Sequence, residues 1–416
     1  MAMTTTEKVI AKHAGRDRVE PGDLVVVDID RACADDVQFF IFEARLRELG
    51  GEIRRPERTA LMADHYLPPA GVDEAGIVQS LAQFGRQRNL PTFLREGIKH
   101  PVFLEQRLVG PGQILVATDS HTNTAGAVGA LALSLGPTDV AAVFATGKTW
   151  LRVPETIRFE IDGPLPRGVL PMDLGLALLG RHGRAYATYK AIEWAGSTIA
   201  DLPLPGRMTL CNLTTEFGAK NGIVPPDGVT AAWLGDAVPT DDFLVSDADA
   251  RFSAVHRYRS EEFAPVVAVP PSPANVHPVA DLRGTRVDQA YLGTCTHSTL
   301  EDLHLAAQVL DRRRVHTSVR LIVTPATQRV YDTALADGTF RILSAAGGTI
   351  TSPGCGSCPG MHEGTLAENE VRISTQNRNF VGRSGHPTSQ IYLASPLTVA
   401  ASAVAGEIVE AAEVTA

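Results

Sequence analysis

Five cysteines in 416 residues are too few for a disulfide framework, and residues 1–16 lack the apolar core of a secretion signal. A cytoplasmic protein is the expectation. No stretch approaches the roughly 18 to 20 uninterrupted apolar residues that cross a bilayer, so no membrane partner is expected either. The chain has no block of like charge, no low-complexity tract and no repeat of fixed period. A formal net charge of -9 argues against a nucleic-acid surface, while leaving room for a local basic pocket. What remains is a globular chain, 44% hydrophobic, long enough for two or three domains with a core in each.

The elements that are present follow a βα rhythm. Residues 23–30 read as a buried strand, and 36–49 then show helical spacing until Gly50 and Gly51 stop it. The pattern returns in the strand-like 113–118 followed by the small-residue run 125–135, and in 290–292 followed by 300–310. Repeated units of this kind predict an α/β fold of mostly parallel sheets whose carboxyl ends face a shared cleft. Residues 156–161 alternate like a strand and 172–180 look helical, with no phosphate-binding glycine loop nearby. The stretch 263–278, rich in proline and valine, is the linker candidate. The expected domains are 1–155, 156–278 and 279–416.

Three groups of residues carry chemistry. Cys295 stands far upstream of Cys355 and Cys358, a Cys-x-x-Cys pair in a Gly/Pro/Ser-rich turn. Three thiolates suit a cubane cluster with one iron left open to substrate. A redox pair, or a structural zinc site completed by His297, stays possible on spacing alone. Asp119, Ser120 and His121 place a carboxylate, a hydroxyl and an imidazole at the end of a strand, a set suited to proton transfer. Asp64-His65 repeats the pairing and His100 adds a further imidazole. Arg378 and Arg383, five residues apart in an acidic protein, suit bidentate binding of carboxylates. Each of these groups also has a plain structural reading: a capped turn, a buried histidine, a solvated surface.

Taken together the motifs resemble the aconitase superfamily, and within it the large subunits of the 3-isopropylmalate dehydratase and homoaconitase branch. The resemblance runs from Thr5–Ile10 through Val116–Thr122, Gly147–Trp150, Val153-Pro154-Glu155, Glu216–Lys220 and the three cysteines to Asn377–Phe380 and Ser395-Pro396. It implies an aconitase-like three-domain large subunit with its sheets around a central cluster cleft. The activity it implies is a dehydration and rehydration that moves a hydroxyl between neighbouring carbons of a di- or tricarboxylic hydroxy acid. By the same resemblance, Cys295, Cys355 and Cys358 hold a 4Fe-4S cluster, with Asn377 hydrogen-bonded near it. Asp64 and His65 form the acid pair at the leaving hydroxyl. Asp119, His121, His100 and Glu216 make up the shell around the open iron, and Ser120, Arg378 and Arg383 contact substrate. The family's catalytic serine stands on a swivelling domain that this sequence lacks, so a small partner subunit is expected to supply it.

Two stretches depart from the branch. His297-Ser298-Thr299 stands where relatives carry Asn, a small residue and Arg, and the loop Ala32 to Asp36 lacks the usual His-Asp or His-Glu pair. Two readings stay open, a neutral departure with compensation and a shifted substrate contact; on the second, a substituted malate of a specialised pathway, or homocitrate, competes with 3-isopropylmalate. A cluster-bearing regulatory protein that has lost catalysis is the rival of another class, opposed by the retained Asp-His and Arg motifs.

Overall fold

The computed structural model describes residues 2–235 and 243–415. Its first sheet runs Thr92–Phe93, Thr59–Met62, Arg31–Asp35, Ile114–Ala117, Leu131–Ser134, every pair parallel. Thr59–Met62 and Ile114–Ala117 are buried at all four positions, as befits strands covered on both faces. The chain builds outward from Arg31–Asp35 in one direction and then returns to add Ile114–Ala117 on its other side. The crevice between those two strands is therefore a topological switch point, where open α/β sheets place their ligands.

A second parallel sheet orders Asn221–Ile223, Ala191–Ala195, Thr156–Asp162 and Ala254–Arg259. The third has seven strands, with Val371–Ser374, Gln289–Leu292, Arg320–Val323 and Gly348–Ile350 adjacent and parallel. Its switch point lies between Gln289–Leu292 and Val371–Ser374. The first leads into Cys295 and the second into Asn377 and Arg378, so the arrangement of strands aims both motifs at one crevice. Among the described residues no helix is long and apolar enough to cross a membrane.

Two local expectations give way. Residues 23–30 do not form a buried strand: Leu24–Asp28 pairs antiparallel with Lys148–Arg152 in an isolated ribbon, and Leu24 and Val26 are 67% and 59% exposed. The central strand is Arg31–Asp35, masked in sequence by its charged ends. Residues 263–278 are no free linker either. Val266–Ala268 and Val276–Pro278 form a hairpin on the edge of the third sheet. Buried Asp173, in the helix Pro171–His182, accepts the amide of Val266 at 3.1 Å and so pins that hairpin to the second unit.

The sheets are packed into one body. Apolar side chains from the first unit, such as Phe103 and Ala127, share a core with Phe159, Trp194 and Phe217 of the second. The 3-10 helix Thr122–Val128, which follows the Asp119 turn, lies directly on the strand Asn221–Ile223. Gly126 permits the contact, since a Cβ there would sit 1.7 Å from the Gly222 carbonyl oxygen. Gly126→Ala must push the two units apart. It is expected to cost about 1–3 kcal/mol, read as a lowered denaturant midpoint.

Candidate active site

The carboxyl ends of the first sheet's strands bring Asp35, Asp36, Asp64, His65 and Asp119 together around one buried cation. Lys99 opens the helix Lys99–Glu105, and its side chain is 2% exposed. Its Nζ lies 2.9 Å from Asp35 Oδ2, 3.3 Å from Asp64 Oδ1 and 3.5 Å from Asp119 Oδ2. Its amide donates to Asp64 Oδ2 at 2.9 Å, and Thr118 Oγ1 donates to Asp35 Oδ2 at 2.6 Å. Burial works against the ammonium charge, but the three carboxylates outweigh it and hold Lys99 well above the usual lysine range. Burial likewise opposes ionisation of Asp64 and Asp119, yet Lys99 and the neighbouring histidines keep both carboxyls below their ordinary range.

Around this centre each expected imidazole has a fixed place. His65 Nδ1 lies 3.1 Å from Asp36 Oδ1 and 3.0 Å from Asp64 Oδ1, and Nε2 lies 3.3 Å from Asp119 Oδ2. Burial disfavours its charge; Cys355 and Asp64, with hydrogen bonds to Asp119 and Asp36, reverse that and raise it well above 6.5. His100 Nε2 meets Asp119 Oδ1 at 3.0 Å. The His121 amide donates to the same oxygen at 2.7 Å, while its Nε2 meets Glu216 Oε1 at 3.2 Å. Arg378 Nε donates to that glutamate oxygen at 2.7 Å, joining the third unit to the second. Burial and then Arg378 drive His121 down to about 4, so it is neutral at physiological pH.

The cysteines face this network across a cleft of about 500 Å³, whose walls include His65, Asp119, Cys295, Cys355, Cys358 and Arg383. Ser120, His100, His121, Asn377 and Arg378 also line it, whereas Asp64 and Glu216 stand one layer behind. Cys295 Sγ accepts from Asn212 Nδ2 at 3.1 Å and from Asn377 Nδ2 at 3.4 Å. Arg383 Nη2 approaches Cys358 Sγ at 3.9 Å. Burial pushes the Cys355 thiol up to about 12. Thiols in such a place ionise when a metal neutralises them.

The donor set fits a cluster better than a single zinc. Four-coordinate zinc draws its sulfurs to roughly 3.8 Å of one another. Among the described residues, the groups of three with ligand atoms within 4.8 Å of one another are Asp64–His65–Cys355 and Asp35–Asp36–His65, and the three cysteines are spread more widely. His297 is also turned elsewhere, its Nδ1 bonded to Asp302 at 2.9 Å. Amide donors on Cys295 supply the hydrogen bonding that cluster sulfurs take.

The structure places His297-Ser298-Thr299 at a helix start, with His297 Nε2 buried and without a hydrogen-bond partner among the described residues. Thr299 caps the helix Leu300–Leu310 in a capping box with Asp302, Ser298 Oγ bonds the Thr294 carbonyl at 2.8 Å, and His297 reinforces the same cap. The departure is absorbed by a helix start. Residues the sequence did not single out do more at the site. Asp35 and Asp36 end a strand as an acidic pair, which was a usable signal. Lys99 was visible only as a neighbour of His100, and Asn212 is one polar residue inside the helix Leu204–Leu213.

The depressed His121 is directly testable by NMR of the isotope-labelled histidine ring. It should stay neutral down to about pH 5 and titrate near 4, and Arg378→Gln should raise that value. Because the unfolded chain takes this proton near the ordinary histidine pKa, His121 withdraws stability as pH falls from about 6.5 to 4. A His121 that titrates at an ordinary value contradicts the burial and the Arg378 contact.

The profile of the Aconitase family (aconitate hydratase) matches residues 7–284 and 278–406. The chain is similar to the 3-isopropylmalate dehydratase large subunit 1 of Methanopyrus kandleri, 44% identical over 414 residues that cover 99% of each chain. It is also 41% identical over 419 residues to the 3-isopropylmalate dehydratase large subunit of a Sulfurihydrogenibium species, covering 100% of this chain and 97% of that one. The corresponding subunit of Aquifex aeolicus is 41% identical over 423 residues, covering 100% and 98%. Among solved structures, the holo-form of Thermococcus kodakaraensis aconitase X aligns with a TM-score of 0.48 and 14% identity over 91% of this chain and 93% of that one. Matched along nearly its whole length, the chain belongs to the aconitase family.

Proposed function

We propose that this chain is the large subunit of an iron–sulfur hydro-lyase that dehydrates and rehydrates a malate-type hydroxy acid, with 3-isopropylmalate as the leading substrate. The observation that carries the reading is the convergence, in one cleft, of three cysteine thiols, the His65–carboxylate network and two arginines. Cys295, Cys355 and Cys358 would hold a 4Fe-4S cluster, and when bound it supplies a Lewis acid for the C–O bond.

The chain's own groups supply binding and protons. Arg378 spends Nε on Glu216 and keeps its two terminal nitrogens for a substrate carboxylate. Arg383 and Ser120 offer donors on the same walls. His65 delivers its Nε2 proton to the leaving hydroxyl, and Asp64, Asp36 and Asp119 hold the imidazolium in place until then. Neutral His121, bridged to Glu216, completes the hydrogen-bonded wall. The base that removes the carbon-bound proton would come from a serine of a small partner subunit. This follows the naming of the relatives as large subunits and the family resemblance of the motifs.

A second substrate, homocitrate or another substituted malate, is favoured by one observation. Asp35, Val37 and Gln38, at the loop that departs from the branch, line the cleft.

The test is anaerobic loading with iron and sulfide, mixing with the small subunit, and a screen of isopropylmalate, homocitrate, citrate and alkylated malates. Ultraviolet absorbance of the unsaturated acid is the readout. A brown protein active only with its partner is expected, and His65→Gln or Asp119→Asn should lower turnover about 10²-fold or more with the cluster intact. A colourless protein, or a brown one inert toward every acid, would sink the reading.

A further inference from the structure

The loop that carries Cys355 and Cys358 does a second job, at the acid pair. His362 follows four residues after Cys358, is 7% exposed, and donates from Nε2 to the His65 carbonyl oxygen at 2.5 Å. The Cys355 amide donates to the carbonyl of Asp64 at 3.0 Å. Gly354, at φ +154°, brings the same loop so close that a Cβ would lie 3.1 Å from the Leu67 carbonyl oxygen and 3.3 Å from that of Asp64. Residues 64–67 leave the first sheet, while the gripping loop belongs to the third.

The other side of the turn is also held. The amides of His65 and Tyr66 donate to Asp36 Oδ2 at 3.1 and 2.8 Å. The main chain at His65 is thus fixed at its N–H side by Asp36 and at its carbonyl by His362. With both held, the ring has one direction, Nδ1 toward Asp36 and Asp64 and Nε2 toward Asp119. A buried carbonyl takes a donor from somewhere, and here the donor comes from the cysteine loop. Thr365 Oγ1 in turn bonds the His362 carbonyl at 3.1 Å, fastening the donor's own backbone.

We propose that His362 is a positioning residue for His65, and that its grip ties the placement of the acid to the shape of the loop that supplies two of the three cluster thiols. Loading the loop then organises the proton donor in the same event. Only the kinetic arm of the test rests on the reading of His65 as the acid.

Amide exchange by mass spectrometry on the full chain, before and after anaerobic loading, decides the grip. In the parent protein, exchange across residues 62–67 should slow on loading. His362→Phe keeps the bulk but not the donor, and should raise exchange there about fivefold to tenfold and erase the response to loading. His362→Gln, whose amide can reach the carbonyl, should behave like the parent, and the shorter His362→Asn should behave like His362→Phe. If His362→Phe fails to fold, the Gln and Asn pair gives the decision. In the kinetic arm, with the small subunit present, His362→Phe should lower kcat about 10- to 100-fold. Iron content and KM should stay within about twofold, and His362→Gln should recover most of the rate. Exchange at 62–67 that is unchanged in the variants overturns the proposal, as does parent-like kcat in His362→Phe. If the parent itself turns over no hydroxy acid, the functional reading fails and the exchange result still stands for or against the grip.

Discussion

Lys99 carries its charge where water does not reach, and three carboxylates from three strand ends converge because of it. Removing an ammonium from water is costly, and so is burying any of those carboxylates alone. Together they satisfy one another and leave a surplus of negative charge. That surplus keeps a proton on His65. The placement of His65 is therefore a property of the whole group: its ring faces carboxylates at both nitrogens, each already committed to Lys99, to His100 or to a backbone amide.

The strand orders explain why these groups meet the cysteines. Each of two parallel sheets grows from a central strand in both directions, and the gap left at the reversal is flanked by two loops. In the first sheet these carry Asp35-Asp36 and Thr118–His121; in the third they carry Cys295 and Asn377-Arg378. The second sheet contributes from behind, through Glu216 beneath His121 and Asn212 beneath Cys295. Its own switch point carries none of the site residues. It braces the other two, sharing a core of Phe159, Trp194 and Phe103 with the first and another of Met172, Leu176 and Leu393 with the third.

Much of the site was legible because its parts occur as short runs. Asp119-Ser120-His121, Cys355 with Cys358, and Asn377 to Arg383 each sit in one loop after a strand, where local spacing records local geometry. Lys99, Asn212 and His362 were not legible as site residues, since each acts on a partner from 35 to nearly 300 positions away. The run 23–30 misled for another reason. Alternation and hydrophobicity describe a strand's faces and not its neighbours, so an antiparallel ribbon with Leu24 and Val26 in solvent reads like a core strand.

The two amides on Cys295 come from different parts of the fold. Asn377 belongs to the same sheet as the cysteine, but Asn212 comes from the second unit and also takes Thr296 and Asn377 onto its carbonyl oxygen. The pair of amide donors on Cys295 is complete only where the second and third units meet. A single carboxamide that crosses between sheets thereby ties the surroundings of Cys295 to the docking of two units.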